Sequence, residues 1–259
     1  TYGLDLGAFT PFIYCFRDRE KILKIFEKMC GQRLNYNYIR IGGVSQDMTD
    51  DVLDNIGWFA DYFKPKWDEV HELFTKNGIF IQRTADIGVL SAELAQSYGC
   101  TGPVLRGSGV KRDLRKDRPY SLYPELDFDI PVGEGTVGTL GDCWDRYYVR
   151  CLEVYESLKI IRQAVPELRK TKGEPHLHKK TKKSVKVPKG EGYSAVENPR
   201  GELGYYVVSN GKPKPYRVKA RAPSFHNISV LPEISQGIMV ADMVSIIGSM
   251  DIVMGEVDR

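Results

Sequence analysis

The chain has 259 residues, 42% hydrophobic and 27% charged, with a net charge of +3. That length can bury a sizeable core in one large domain or two small ones, and so small a net charge implies no particular partner class. No apolar run approaches the ~18 residues that suggest a membrane-spanning helix, so any membrane role is expected to be peripheral.

Thr1 is not a natural start, so an N-terminal part of the protein is expected to precede it. Residues 1–30 read as a helix. Phe9, Phe12, Ile13 and Phe16 recur at helical spacing, as do Ile22, Leu23, Ile25, Phe26 and Met29. Thr10 precedes Pro11 and is biased away from helical geometry, which predicts a kink or restart there. Gly31 is a plausible stop, and Arg40-Ile41-Gly42-Gly43 reads as a turn. Two amphipathic helices are predicted over 49–63 and 66–76, with Asp50 and Asp51 favouring the first helix's positive end. Ser91, Leu94 and Tyr98 predict a short helix ending at Gly99.

Residues 100–141, rich in glycine and proline, read as an ordered, irregular excursion. Over 142–166, Tyr147, Cys151, Val154, Leu158, Ile161 and Val165 form a helical stripe. Asp142 caps its start, Pro166 marks its end, and Arg146, Arg150, Glu153, Glu156 and Arg162 lie largely off it. Residues 169–192 hold Arg169 and eight lysines against Glu174 and Glu191 and read as a mobile basic surface loop. Strands are predicted at 202–209 and 215–222, with a turn at Ser209-Asn210-Gly211. A buried apolar helix is predicted at 238–249.

Most general catalytic motifs are absent: there is no P-loop, GxGxxG, HExxH or GxSxG. Cys15, Cys30, Cys100, Cys143 and Cys151 are odd in number, irregularly spaced and without a CxxC pair. That argues against a disulfide framework or a zinc site and fits a reducing compartment. Gly107-Ser108-Gly109 reads as a tight turn rather than a phosphate cradle. Asp127 and Asp129 would share a face of a strand, and read as a solvated pair rather than an acid–base pair. His176 and His178 stand in the basic loop, and His226 in a turn after Pro223. The lysine run lacks interleaved aromatics, so base stacking on nucleic acid is unsupported. Asp5 shares a predicted helix face with Phe9 and Phe12; an ionised carboxylate there needs a partner or a raised pKa, which suits a structural or a functional role alike.

Longer strings go further. Leu4-Asp5-Leu6-Gly7-Ala8-Phe9-Thr10-Pro11-Phe12 and Tyr38-Ile39-Arg40-Ile41-Gly42-Gly43-Val44 resemble the 49 kDa-type subunit family of respiratory complex I. So do the run from Leu105 to Pro131, Gly141-Asp142-Cys143 with Asp145-Arg146-Tyr147, the run Arg200–Tyr206, and Arg221-Ala222-Pro223-Ser224-Phe225. The stretch from Gly248 to Arg259 resembles the family's C-terminus. The resemblance covers nearly the whole chain except the basic loop.

The resemblance implies a mainly α fold with a smaller α+β C-terminal part, similar to the large subunit of nickel–iron hydrogenases. Within it, 1–168 would form the helical core with the excursion at 100–141. Residues 169–192 would form the basic loop, and 193–259 a strand pair and buried helix completing the same domain. The hydrogenases' second CxxC pair falls at Val253 and Glu256, neither a thiolate, so a nickel–iron site cannot form and no metal is expected on this chain. The implied role is quinone reduction in a proton-pumping NADH:quinone oxidoreductase. The substrate would be ubiquinone or menaquinone. NAD would be bound by another subunit and a terminal [4Fe-4S] cluster held by an iron–sulfur partner. Other partners would be peripheral-arm, quinone-chamber and proton-pumping membrane subunits, with no nucleic acid, on the cytoplasmic or matrix side of the membrane.

By the same resemblance, Asp5 would pair with an upstream His and relay protons to the quinone. Phe9, Phe12 and Phe16 would line the quinone path, and Val253 the old metal position. Arg40, Asp251, Glu256 and Arg259 would stand near the cavity, the last three forming ion pairs. Asn35 replaces a His that some members carry near the terminal cluster. Competing readings are a deazaflavin- or ferredoxin-fed relative, a membrane-bound hydrogenase, and an anion-binding scaffold using the lysine loop.

Overall fold

The structure, a computed structural model, describes residues 1–177 and 187–258. The middle of the lysine-rich stretch, with His178, and the expected cavity residue Arg259 lie outside the described residues.

The first predicted helix is two. Helix α1 (Tyr2–Asp5) ends before Gly7, which adopts φ 89°, and α2 restarts at Phe9 and runs to Cys30. Pro11 sits in the first turn of α2, where its missing N–H is not needed. Gly31 ends α2 in the left-handed conformation, its N–H donating to the Glu27 carbonyl at 2.8 Å. The predicted turn joins two short antiparallel strands, β1 (Ile39–Arg40) and β2 (Gly43–Val44).

The two helices expected over 49–76 are continuous. Helix α3 (Asp50–Val70) passes through Pro65 and ends in a π-helical turn, His71–Thr75. Packing outweighs the bond lost at proline. Phe59, Phe63 and Trp67 stack in series across that position, with centroids 5.3 and 6.0 Å apart, and Trp67 Nε1 donates to the Cys151 carbonyl at 3.2 Å. Short helices follow: α4 (Gly78–Gln82), α5 (Ala92–Ser97), α6 (Pro103–Gly107) and α7 (Leu114–Asp117). Ser91 caps α5 and Gly99 has φ 69°, as the sequence predicts. Within the irregular excursion, Asp127 and Asp129 are exposed, and Gly109 turns the chain at φ 81°.

Helix α8 (Cys143–Lys170) is the long central element. Asp142 Oδ1 accepts from the Asp145 N–H at 2.8 Å, the predicted cap. Pro166 does not end the helix. The last turns are tied to α3 by Arg162–Asp61 at 2.9 Å and Arg169–Asp54 at 2.5 Å, which carry α8 past the missing bond. Arg146, expected off the apolar stripe, is fully buried. Its guanidinium donates to the Gly141 carbonyl (2.6 Å), Ser249 Oγ (2.9 Å) and Cys143 Sγ (3.2 Å).

The expected strand pair belongs, among the described residues, to a three-stranded antiparallel sheet: β3 (Gly190–Asn198), β4 (Gly201–Ser209) and β5 (Arg217–Arg221). Strand β3 takes up the end of the stretch read as a loop, and Arg169 and Lys170 at its start belong to α8. The β3–β4 hairpin closes with Asn198 paired to Gly201, and Gly201 sits at φ 133°. Then come α9 (Pro223–Ile228), α10 (Leu231–Ile234), α11 (Asp242–Met250) and α12 (Met254–Asp258). His226 therefore lies in a short helix, not a turn. Helix α11 is buried on one face only: Asp242, Ser245, Ile246, Ser249 and Met250 are inside, while Val244 and Ile247 are exposed, and Val240 just before the helix is 91% exposed. Its inner face carries two hydroxyls because it meets polar groups, Tyr2 and Arg146.

The architecture is thus mainly α with a small antiparallel sheet. Leu90, Leu105, Cys143, Val230, Ile246 and Met250 form the main core, joining α6, α8 and α11. Among the described residues, no helix is long and apolar enough to cross a membrane.

Candidate functional site

Helices α1 and α11 come from opposite ends of the chain and meet at Tyr2. The tyrosine hydroxyl donates to Ser245 Oγ at 2.9 Å, and Ser245 donates onward to the Arg83 carbonyl at 2.7 Å. Burial, then the nearby Cys143 thiol, pushes the Tyr2 phenol far above its usual range, so it stays neutral. Beside it, α11 carries Gly248, where a Cβ would lie 2.6 Å from Tyr2 Cδ2 and 3.7 Å from Asp5 Oδ2.

This junction leaves a cavity of about 350 Å³ lined by Thr1, Asp5, Val244, Gly248, Asp251 and Ile252. Two carboxylates, Asp5 and Asp251, line it. Asp251 adopts φ 51° at the end of α11, a conformation Asp visits more readily than most residues. Arg200 donates to its carbonyl from Nε at 2.7 Å and to its carboxylate from Nη2 at 3.1 Å, and Arg150 Nε lies 3.7 Å from the carboxylate. Arg150 also donates to the carbonyls of Ser249 (2.8 Å) and Met250 (3.3 Å), capping the last turn of α11 with positive charge.

Phe12 and Phe16 line a different, mainly apolar cavity of about 230 Å³, with Tyr2, Trp67, Phe74 and Tyr147. Phe12 lies 4.4 Å from Phe16, centroid to centroid, and 6.0 Å from the 58% exposed Phe9. Burial, reinforced by Cys151, raises the Tyr147 phenol, which hydrogen-bonds Thr75 Oγ1 at 2.7 Å. Thr1 lines both cavities and Tyr2 stands between them. The expected single face of Asp5, Phe9 and Phe12 does not form, because the chain breaks at Leu6–Ala8; Asp5 is exposed at the rim of its own cavity.

The structure therefore brings Asp5 and Asp251 to one cavity and Phe12 and Phe16 to another, and leaves Val253, Glu256 and Arg40 outside both. Val253 is half-buried, lines neither cavity and donates its N–H to Ser224 Oγ at 3.3 Å. Glu256 accepts from Ser224 Oγ at 2.6 Å, a hydrogen bond tying α12 to α9. Asp251 pairs with Arg200 and Arg150. Arg40 is exposed on β1, its Nε donating to the Asn37 carbonyl at 3.3 Å. Sequence reasoning missed Tyr2, Gly248, Arg150 and Arg200. A glycine inside an apolar helix was the available signal for close approach at Gly248.

All five cysteines are free, and among the described residues no group of three or more His, Cys, Asp or Glu is placed to hold a metal. These residues do not fit an iron–sulfur cluster.

Comparison with known proteins gives these features a family. A family model described as "Respiratory-chain NADH dehydrogenase, 49 Kd subunit" matches residues 5–259. The chain is 52% identical over 262 residues to the NADH-quinone oxidoreductase D-type subunit of Chlorobaculum tepidum, covering 100% of this chain and 65% of that relative. It is 51% identical to the corresponding protein of Pelodictyon phaeoclathratiforme, with the same coverage. It is also 51% identical to a counterpart in Cytophaga hutchinsonii, of which 67% is covered. The chain thus spans about 65% of the length of the first curated relatives it matches.

Proposed function

Because the chain belongs to the 49 kDa subunit family of respiratory-chain NADH dehydrogenase, we propose that it forms part of the quinone-reduction site of a proton-pumping NADH:quinone oxidoreductase. The observation that carries this reading is the cavity between α1 and α11, lined by two carboxylates, beside an apolar cavity lined by aromatics. Reducing a quinone to a quinol takes two electrons and two protons. This chain's cysteines are dispersed, so the electrons would come from a [4Fe-4S] cluster on an iron–sulfur partner, with NAD bound by another subunit. The chain itself supplies shape, charge and a proton path.

Asp5 is assigned as the carboxylate that orients an upstream His and steadies its protonated form, so that the imidazole can donate to the quinone oxygen. Asp251 shares that cavity. Phe12 and Phe16, with Phe9 beside Phe12, are assigned to the quinone path. Val253 would mark the place of the old metal position in a hydrogenase large-subunit-like fold. The protein would sit in the peripheral arm at the cytoplasmic or matrix face of the membrane, against quinone-chamber and proton-pumping membrane subunits. NADH is favoured as the donor over deazaflavin or ferredoxin because the relatives are named for it.

Asp5→Asn in the full-length protein of the native complex tests the reading. Quinone reduction is expected to fall by about two orders of magnitude, the lower end of the ~10²–10⁴-fold worth of a positioned acid–base group, while the complex still assembles. Unchanged turnover would count against it, as would a native purification that recovers no iron–sulfur and membrane subunits.

A further inference from the structure

The π-helical turn that ends α3 links a histidine to the wall of the aromatic cavity. Such turns are frequent at functional sites. Thr75, 3% exposed, stands at its last position, with Oγ1 3.0 Å from His71 Nδ1 and 2.7 Å from the Tyr147 hydroxyl of α8. At one end of this row, His71 is only half-buried. At the other, Tyr147 lines the cavity with Phe12, Phe16 and Cys15. The Cys151 thiol adjoins both hydroxyls. Thr84 shows the ordinary alternative for a helical threonine, donating back to the Phe80 carbonyl at 2.8 Å. Among the described residues, Thr75 Oγ1 has no such carbonyl partner.

The groups around His71 come from three helices. On α3, Asp68 lies within electrostatic reach of the ring and is held by the Tyr155 hydroxyl at 2.7 Å and by Lys64 at 3.1 Å. Glu72 and Lys76, both exposed, pair with each other at 2.6 Å. On α8, Tyr148 stacks on the ring with centroids 5.9 Å apart. Cys15 of α2 stands on the far side, near Tyr147. Among the described residues, Thr75 is the ring's hydrogen-bond partner.

A hydroxyl has one hydrogen to give, and that fixes the direction of the row. With His71 neutral and Nδ1 bare, Thr75 donates to the ring and Tyr147 donates to Thr75. With His71 protonated, both ring nitrogens are donors. Thr75 then accepts from Nδ1 and turns its hydrogen to the Tyr147 oxygen, a better acceptor than a thiol sulfur. The phenol hydrogen is released toward Cys151 and the cavity. Charging one half-exposed imidazole thus reverses the row.

We propose that His71, Thr75 and Tyr147 form a proton-delivery chain into the aromatic cavity, with His71 as its entry and Tyr147 as its donor. The Nδ1 proton passes to Thr75 Oγ1, the proton of Thr75 passes to the Tyr147 oxygen, and the phenol proton passes to an oxygen of the reduced quinone. Both hydroxyls end neutral, and His71 goes from cation to neutral and is recharged from water. The electrons remain those of the partner's cluster. Histidine suits the entry because its charge changes near physiological pH. Delivery rests on reading the cavity as the quinone path; the reversal of the row does not.

The test uses the assembled complex with isotope-labelled tyrosine, followed by pH-difference infrared spectroscopy. In the unmodified complex a tyrosine C–O band should move as the imidazole titrates, because the phenol changes from donor to Thr75 into acceptor from it. Tyr147→Phe should remove that band. His71→Gln and Thr75→Val should abolish its movement, and Thr75→Ser, which keeps the hydroxyl, should restore it. Quinone reduction in the parent should fall as pH rises through the same range, and His71→Gln and Thr75→Val should flatten that limb. No moving band in the parent, or movement that survives His71→Gln, overturns the chain. A lost movement with a pH profile superimposable on the parent's overturns delivery. If Tyr147→Phe does not assemble, His71→Gln and the two Thr75 variants decide the matter. Asp5→Asn run in parallel separates the two ideas: if it leaves turnover unchanged, the quinone reading fails while the infrared band still decides the reversal.

Discussion

Tyr2 packs against Gly248 so closely that a Cβ at position 248 would fall 2.6 Å from the tyrosine ring. The contact joins the two ends of the chain and sets the wall between the two cavities. Gly248→Ala is expected to push the ring away and break its hydrogen bond to Ser245, destabilising the fold by about 1–3 kcal/mol, the usual cost of overpacking. Chemical denaturation measures the loss; an unshifted midpoint would mean that the ring yields freely.

Asp251 combines a charge with a left-handed backbone, and substitution can separate the two. Asp251→Gly suits φ 51° and should hold stability within about 1 kcal/mol of the parent while removing the carboxylate. Asp251→Ala loses the carboxylate and also strains the backbone, so it should be the less stable of the two. Both should lower quinone reduction in the complex. Full turnover in the glycine variant would reduce Asp251 to a helix terminator.

Asp18 predicts an acid-side loss of stability. Its carboxylate, 2% exposed, receives Arg17 Nη2 at 2.9 Å, the Tyr62 hydroxyl at 2.9 Å and Lys21 Nζ at 3.3 Å. Burial alone would raise its pKa, but the bonds from Arg17, Tyr62 and Lys21 outweigh it and hold the group below its usual range. An acid depressed on folding stabilises above its unfolded pKa of about 3.9, and that stability drains as pH falls through the folded value. Asp18→Asn should therefore be less stable than the parent at neutral pH, and the two should converge in acid. Parallel unfolding curves at all pH values would remove Asp18 as the source.

Asn35 stands at φ 56°, a left-handed position Asn tolerates well. It cannot titrate, so under the proposed function the midpoint potential of an iron–sulfur partner's terminal cluster would vary only weakly with pH. Asn35→His should introduce a pH-dependent slope near the imidazole pKa of about 6.5. A steep slope already present in the parent complex would assign the effect to another group.

Local signals worked where local physics decides. Gly31 ended α2, Asp142 capped α8 and Ser91 capped α5 because these residues act on the backbone beside them. The prolines misled. A break was expected between residues 63 and 66, where Pro65 stands, and an end at Pro166, yet aromatic stacking in α3 and ion pairs between α8 and α3 carry both helices onward. Strand β3 was hidden because lysine-rich composition dominated the reading of its first residues.

The functional site divides in the same way. The order and identity of residues settled the family, the capped helices and the candidacy of Asp5 and Asp251, since those depend on which groups are present and on their near neighbours. Only the tertiary structure parted Asp5 from the phenylalanines, set Tyr2 against Gly248, and buried Arg146 against Gly141, Cys143 and Ser249. Those outcomes depend on which distant surfaces exclude water from a charge, and spacing along a chain does not encode that.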